Sequence, residues 1–122
     1  MYAQIDFIVN DDVDNQKSEA VEVPQWATRA ILFVATTPTA IIGLEMIEER
    51  NITPTLLLAD DDTYWDTVRS QDESSTVLAS GTANKWVDIT EFIRSLPKGC
   101  HIRLSSNADL QANIACVIVF RG

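Results

Sequence analysis

Thr53-Pro54-Thr55-Leu56-Leu57-Leu58-Ala59, then Asp60-Asp61-Asp62-Thr63, then Tyr64-Trp65-Asp66-Thr67-Val68, is the stretch whose reading decides the fold. An apolar run stops at an acidic turn and restarts on two adjacent aromatics. Turn-forming acids between β-formers predict a hairpin, with one strand over 53–59 and the next over 64–69. The idea recurs at the C-terminus: His101-Ile102-Arg103-Leu104-Ser105-Ser106, a polar turn around 107–113, then Ile114 to Phe120. Together they predict an antiparallel β-sandwich and not a catalytic scaffold.

Working outward, Ile5, Phe7 and Val9 alternate with Asp6 and Ile8 as on a half-buried strand, and an acidic turn follows at 10–15. Val21 and Val23 flank Glu22 on a second strand that ends at Pro24. Thr28 to Ala35 is continuously β-rich, which predicts a central strand buried on both faces, broken at 36–39. The segment 40–47 reads as a strand bent or bulged at Gly43, because Ile41-Ile42 and the glycine disfavour a helix. A polar loop over 70–75 and short strands at 76–80 and 85–87 follow. Asp88-Ile89-Thr90-Glu91 has the form of a capping box, and Phe92, Ile93 and Leu96 supply an apolar face. This predicts a short helix near residues 88–96, stopped by Pro97 and Gly99, that plugs one end or edge of the sandwich. On the last strand Ile114, Cys116, Ile118 and Phe120 share one face, while Ala115, Val117 and Val119 share the other. Apolar residues on both faces imply cover on both sides, by the core and by a loop or another subunit. The sum is an all-β, jelly-roll-like sandwich of about eight strands.

Composition fits a single domain: 122 residues, 46% hydrophobic, with 4 glycines and 4 prolines. The longest apolar stretch, 30–44, is too short and too interrupted to span a membrane, and no signal peptide is visible at the start. The net charge of −9, from 18 acids and 9 bases, repels phosphate backbones and argues against nucleic-acid binding. Cys100 and Cys116 do not fall opposite each other on the expected last hairpin, so free buried thiols and a reducing compartment are expected.

The residue types that carry chemistry give little. His101 is the only histidine, with no spaced partner set for a metal, and no Gly-x-Ser-x-Gly elbow exists. Asp60, Asp61 and Asp62 fail the EF-hand pattern, since the sixth position from Asp60 is Trp65 and the twelfth is Gln71. A loop calcium site on Asp60 and Asp62 stays open beside a solvated turn. Acid pairs for glycoside hydrolysis carry no motif. Trp26, Trp65, Trp86 and Tyr64 raise either sugar stacking or core and subunit packing. Tyr64 and Trp65 are adjacent, so one of them points outward. No catalytic residue, metal or cofactor is expected.

From Pro24 to Phe120 the chain resembles small β-sandwich structural proteins of tailed bacteriophage virions. The resemblance is carried by Pro24-Gln25-Trp26-Ala27, by 52–58, by the acidic turn through Tyr64-Trp65, and by Cys100 to Ser106 with its closing apolar strand. In that group the turn usually reads Asp-Gly before threonine, where this chain has Asp62. The implied role is a copy-rich virion accessory: a capsid decoration (cement) protein, or a tail, neck or baseplate component. It implies assembly in the host cytoplasm, the major capsid protein or other virion proteins as partners, and self-association. Residues 1–23 lie outside the match and read as an arm able to pair with a neighbouring subunit, with 24–122 as the sandwich domain. The expected interface is Ile5, Phe7 and Val9 on the arm together with Trp26, Tyr64 and Trp65. The rival reading is a carbohydrate-binding module.

Overall fold

The structure, a computed structural model, describes residues 2–9, 17–34, 42–57, 63–68, 85–106 and 114–122. The expected turns at 10–15, 60–62 and 107–113, the break at 36–39, the loop at 70–75 and the strand at 76–80 lie outside them. Eight strands appear: β1 (Tyr2–Val9), β2 (Val21–Glu22), β3 (Arg29–Val34), β4 (Ile42–Ile47), β5 (Asp66–Thr67), β6 (Lys85–Asp88), β7 (His101–Ser106) and β8 (Ile114–Arg121). One short helix, α1 (Thr90–Arg94), follows β6. Two four-stranded sheets form, sheet I in the order β1-β8-β3-β6 and sheet II in the order β2-β7-β4-β5. All named pairings are antiparallel. Every connection passes between the sheets except β4 to β5, which stays in sheet II. This is the double Greek key of a jelly roll.

The alternation of side chains explains the two layers. Ala30, Leu32 and Val34 of β3 and Ile114, Cys116, Ile118 and Phe120 of β8 line sheet I's inner face. Leu44 and Met46 of β4 and Ile102 and Leu104 of β7 face them from sheet II. Ile89 and Ile93 of the α1 region join this core, with Phe92 and Leu96 packed against it. The helix closes one end of the sandwich. Its start splices into sheet I: Ile89 N–H donates to Ala30 O (3.0 Å), and the Thr90 hydroxyl accepts from Ala30 N–H (3.1 Å). Asp88 Oδ1 accepts from Thr90 N–H at 3.0 Å, so it carries the cap bond even though Ile89 occupies the formal cap position. After α1 the chain turns at Gly99, whose φ of 77° suits glycine.

Several expectations are corrected. The last two strands are not a hairpin: β7 pairs with β2 and β4 in sheet II, and β8 with β1 and β3 in sheet I. Thr53–Leu57 is no strand. Leu56 and Leu57 N–H both donate to Thr53 O, and Pro54 has no donor to offer a ladder. The hairpin of this region instead joins β4 to β5, with Met46 opposite Asp66. β3 is central but not buried on both faces, since Arg29 and Ile31 are exposed. Gly43 makes no bulge; it sits directly opposite Ser105 in an unbroken register. The extra residue lies elsewhere: Lys17 is opposite Ser105 and Val21 opposite Ile102, so 17–21 carries one residue more than 102–105. Residues 1–23 supply β1 to sheet I and β2 to sheet II of their own chain. β1 is nonetheless an edge strand, paired by β8 on one side only among the described residues.

Candidate functional site

The parity that buries one face of sheet I sets the other outward. On β3 this outer set is Arg29, Ile31 and Phe33; on β8 it is Ala115, Val117, Val119 and Arg121. Phe33 stands opposite Val117 on one side and Trp86 of β6 on the other, and Ile31 opposite Val119 and Asp88. The Phe33 and Trp86 rings lie with centroids 4.5 Å apart and planes tilted 30°, a favourable aromatic pair. Trp86 is 59% exposed and Ile31 38%, while Phe33, Val117 and Val119 are half-buried. The result is a contiguous apolar stripe across three strands, open to solvent among the described residues. Exposed apolar patches of this kind mark contact surfaces more often than scattered single residues do.

Charges border the stripe at the α1 end. Arg29 and Arg121 are directly opposite each other in the β3–β8 register, both exposed. Asp88 closes the third side. Hydrogen bonds from the Thr90 side chain, then from its N–H, hold the Asp88 carboxyl below the usual carboxylate range, with a smaller pull from Arg29. These groups enclose a groove of about 300 Å³ floored by Ile31 and Val119.

Sheet II hides its outer face differently. Arg103 points away from the core yet is 0% exposed. Its Nε lies 2.7 Å from Glu45 Oε1, and its guanidinium lies 4.0 Å from the centre of the Trp65 ring. Lys17 Nζ reaches the same carboxylate at 3.4 Å. Trp65 is held in place by its indole N–H, which donates to Leu56 O at 2.7 Å. Trp65 and the Thr53–Leu57 turn it bonds thus cover Arg103 on the outer face of sheet II.

The expected interface residues separate onto different surfaces. Ile5, Phe7 and Val9 stand in register opposite Ile118, Cys116 and Ile114 of β8. Trp26 is half-buried and packs on the core. Of the adjacent aromatics, Tyr64 is the outward one, 62% exposed in a turn with φ 64°, while Trp65 packs on Arg103. Trp86, one of the aromatics named for stacking or packing, was missing from the expected interface. Only its register with Phe33 gives its direction, and the short run at 85–87 carries no period to reveal it. The doubly apolar pattern of β8 was the legible signal for this face.

Among the described residues no chemical centre gathers. Cys100 and Cys116 are free and buried, and burial pushes their thiols up to about 11 and about 12. His101 Nδ1 is buried without a hydrogen-bond partner, opposite Glu22 and Ile47 in register. Among the described residues no three histidines, cysteines or acids come together as a metal would need, and no helix is long and apolar enough to cross a membrane. No protein family matches the chain, and no curated protein and no solved structure matches it.

Proposed function

We propose that this chain is a non-enzymatic structural protein of a bacteriophage virion. Its role is capsid decoration, stabilising the shell by protein–protein contacts, with the major capsid protein as partner and with self-association. The observation that carries this reading is the open apolar stripe of Ile31, Phe33, Trp86, Val117 and Val119 on the outer face of a jelly-roll sheet. Jelly rolls serve as viral capsid domains and as lectins, so the fold leaves both uses available and the surface must decide. A flat stripe three strands wide suits another protein's surface better than a small substrate, which needs concave walls. The sequence resemblance to small virion sandwich proteins narrows the partner.

The test is quantitative mass spectrometry of purified particles, counting this chain against the most abundant shell protein. A count near that of the shell protein supports decoration. A much smaller count moves the chain to the neck, tail or baseplate. Absence overturns the virion reading.

One observation favours a second reading. The exposed Trp86, stacked on Phe33, is the kind of aromatic platform on which a sugar ring packs. A carbohydrate-binding module predicts saturable quenching of tryptophan fluorescence by oligosaccharides, abolished by Trp86→Ala.

A further inference from the structure

We infer that the groove between α1 and the 23–28 segment captures the free C-terminal carboxylate of a partner chain that ends in an apolar residue. This rests on the docking reading above and names the part of the partner that is held. Backbone bonds set the walls. Pro97 has no N–H with which to continue α1, and the chain turns through Lys98 and Gly99. Cys100 N–H donates to Pro97 O at 3.4 Å across that turn, with Gly99 at φ 77° in the position that demands it. Val23 N–H donates to Cys100 O (3.1 Å) and Ala27 N–H to Pro24 O (3.0 Å), which ties the facing wall to the same turn. Between the walls lies a cavity of about 250 Å³, lined by Val23, Ile93 and Leu96 on its apolar side and by the exposed Arg94 and Lys98 on its charged side.

The donors, the charge and the size of this groove each limit its occupant. The N–H groups of Lys98 and Gly99 take no hydrogen bond among the described residues, and Gly99 is buried. Buried N–H groups are nearly always paired, so this turn lacks an acceptor. Successive N–H groups at a turn form a nest, a concavity that binds anions. Arg94 and Lys98 form no ion pair among the described residues, and no acid lines the cavity. The Glu49 side chain lies against Gly99 without lining it. The net charge of −9 opposes a polyanion and opposes a single carboxylate least. The volume falls below the roughly 300–1,000 Å³ of pockets that enclose a whole small molecule, and it suits one chain end. A terminal carboxylate on the N–H groups and cations, with the last side chain on Val23, Ile93 and Leu96, satisfies all three limits.

The experiment is fluorescence anisotropy of the intact protein with an N-terminally labelled glycine–serine peptide ending in valine and leucine, made as the free acid and as the C-terminal amide. The free acid is expected to bind saturably and the amide roughly tenfold more weakly. A free acid ending in serine should also bind more weakly, for want of the apolar contact. Arg94→Gln and Lys98→Gln, both at exposed positions, should each weaken the free acid several-fold with circular dichroism unchanged. Glu49→Gln should tighten it, because a carboxylate beside Gly99 is neutralised. Equal binding of acid and amide overturns the inference, as does unchanged binding by the double variant of Arg94 and Lys98. So does displacement by sodium acetate as readily as by unlabelled peptide, which would mark a simple anion site. Equal binding of an amidated peptide with an internal glutamate overturns it too, in favour of an acidic segment. These readings do not depend on particle composition. A chain abundant in particles that binds no peptide loses the groove and keeps the virion role; the reverse result does the opposite.

Discussion

At the scale of single residues, the buried cluster beneath Trp65 is the sharpest feature. Glu45 answers two cations: Arg103, which is fully buried, and Lys17, whose side chain is 18% exposed. Removing one partner of a buried ion pair leaves the other charge without solvent or counter-ion, at a cost of about 3–5 kcal/mol. Glu45→Ala takes from two cations the carboxylate they share, one of them beyond the reach of water. Arg103→Met removes a charge, keeps the volume under Trp65, and leaves Glu45 with Lys17. The expected order in urea denaturation is therefore wild type, then Arg103→Met, then Glu45→Ala as the least stable; a reversed order of the two variants contradicts the charge argument. The thiols make a second prediction at this scale. Their pKa values are raised in the folded chain, so folding holds their protons more tightly than the unfolded chain does. Stability is then complete below the unfolded thiol pKa near ~8.5 and is lost as pH rises toward about 11 and about 12. The urea midpoint of the wild type should fall more between pH 8 and pH 10.5 than that of a Cys100→Ala/Cys116→Ala variant. Parallel pH slopes would show that burial does not act on these groups.

At the scale of elements, α1 is held by a side chain standing in for a strand. The β3–β6 ladder ends at Ile31 opposite Asp88, and Ala30 lies one step beyond it. There the Thr90 hydroxyl takes the Ala30 N–H that a further strand residue would have bonded. Thr90→Val keeps the shape and leaves a donor on a 1% exposed residue unsatisfied, which costs about 1–3 kcal/mol; Thr90→Ser should restore most of it. Hydrogen exchange at Ala30 and Ile93 is the check, and unchanged protection in Thr90→Val would refute the clamp. The same element shows what was legible beforehand. Asp88, Glu91, Pro97 and Gly99 are local signals, and they placed the helix within a few residues. The alternations of β1 and β8 are equally local and gave their strands and the inward set of β8. Partner choice is not local. The polar turn after Ser106 looks like a hairpin turn, but β7 and β8 each find better burial on opposite sheets, and no short-range pattern records that. Thr53–Leu57 failed for a related reason: a leucine run satisfies a strand or a covering layer alike, and the burial of Ile47 and Arg103 on sheet II's outer face demanded the cover. The candidate site was half-visible in the same sense. β8 announced a second apolar face, while Trp86 and Ile31 joined it only through register.

At the scale of the whole molecule, an apolar face and a large net charge oppose each other. The stripe of Ile31, Phe33, Trp86, Val117 and Val119 favours burial against a like surface, worth about 25 cal/mol per Å² of apolar area before the costs of association. The −9 charge on each copy opposes that contact over distances set by the ionic strength. The screening length shortens from about 10 Å at 0.1 M salt to about 3 Å at 1 M, so added salt removes the repulsion and leaves the apolar gain intact. Self-association through sheet I should therefore strengthen with salt. Sedimentation velocity of the wild type from about 0.05 to 0.5 M sodium chloride should show a growing dimer or higher species, since the shorter screening length unmasks the apolar contact. Val117→Asp with Trp86→Ser should stay monomeric throughout, because both positions are partly solvated and can be changed without opening the core. Association that persists in this double variant would place the contact on another surface, the open edge of β1 being the first to examine.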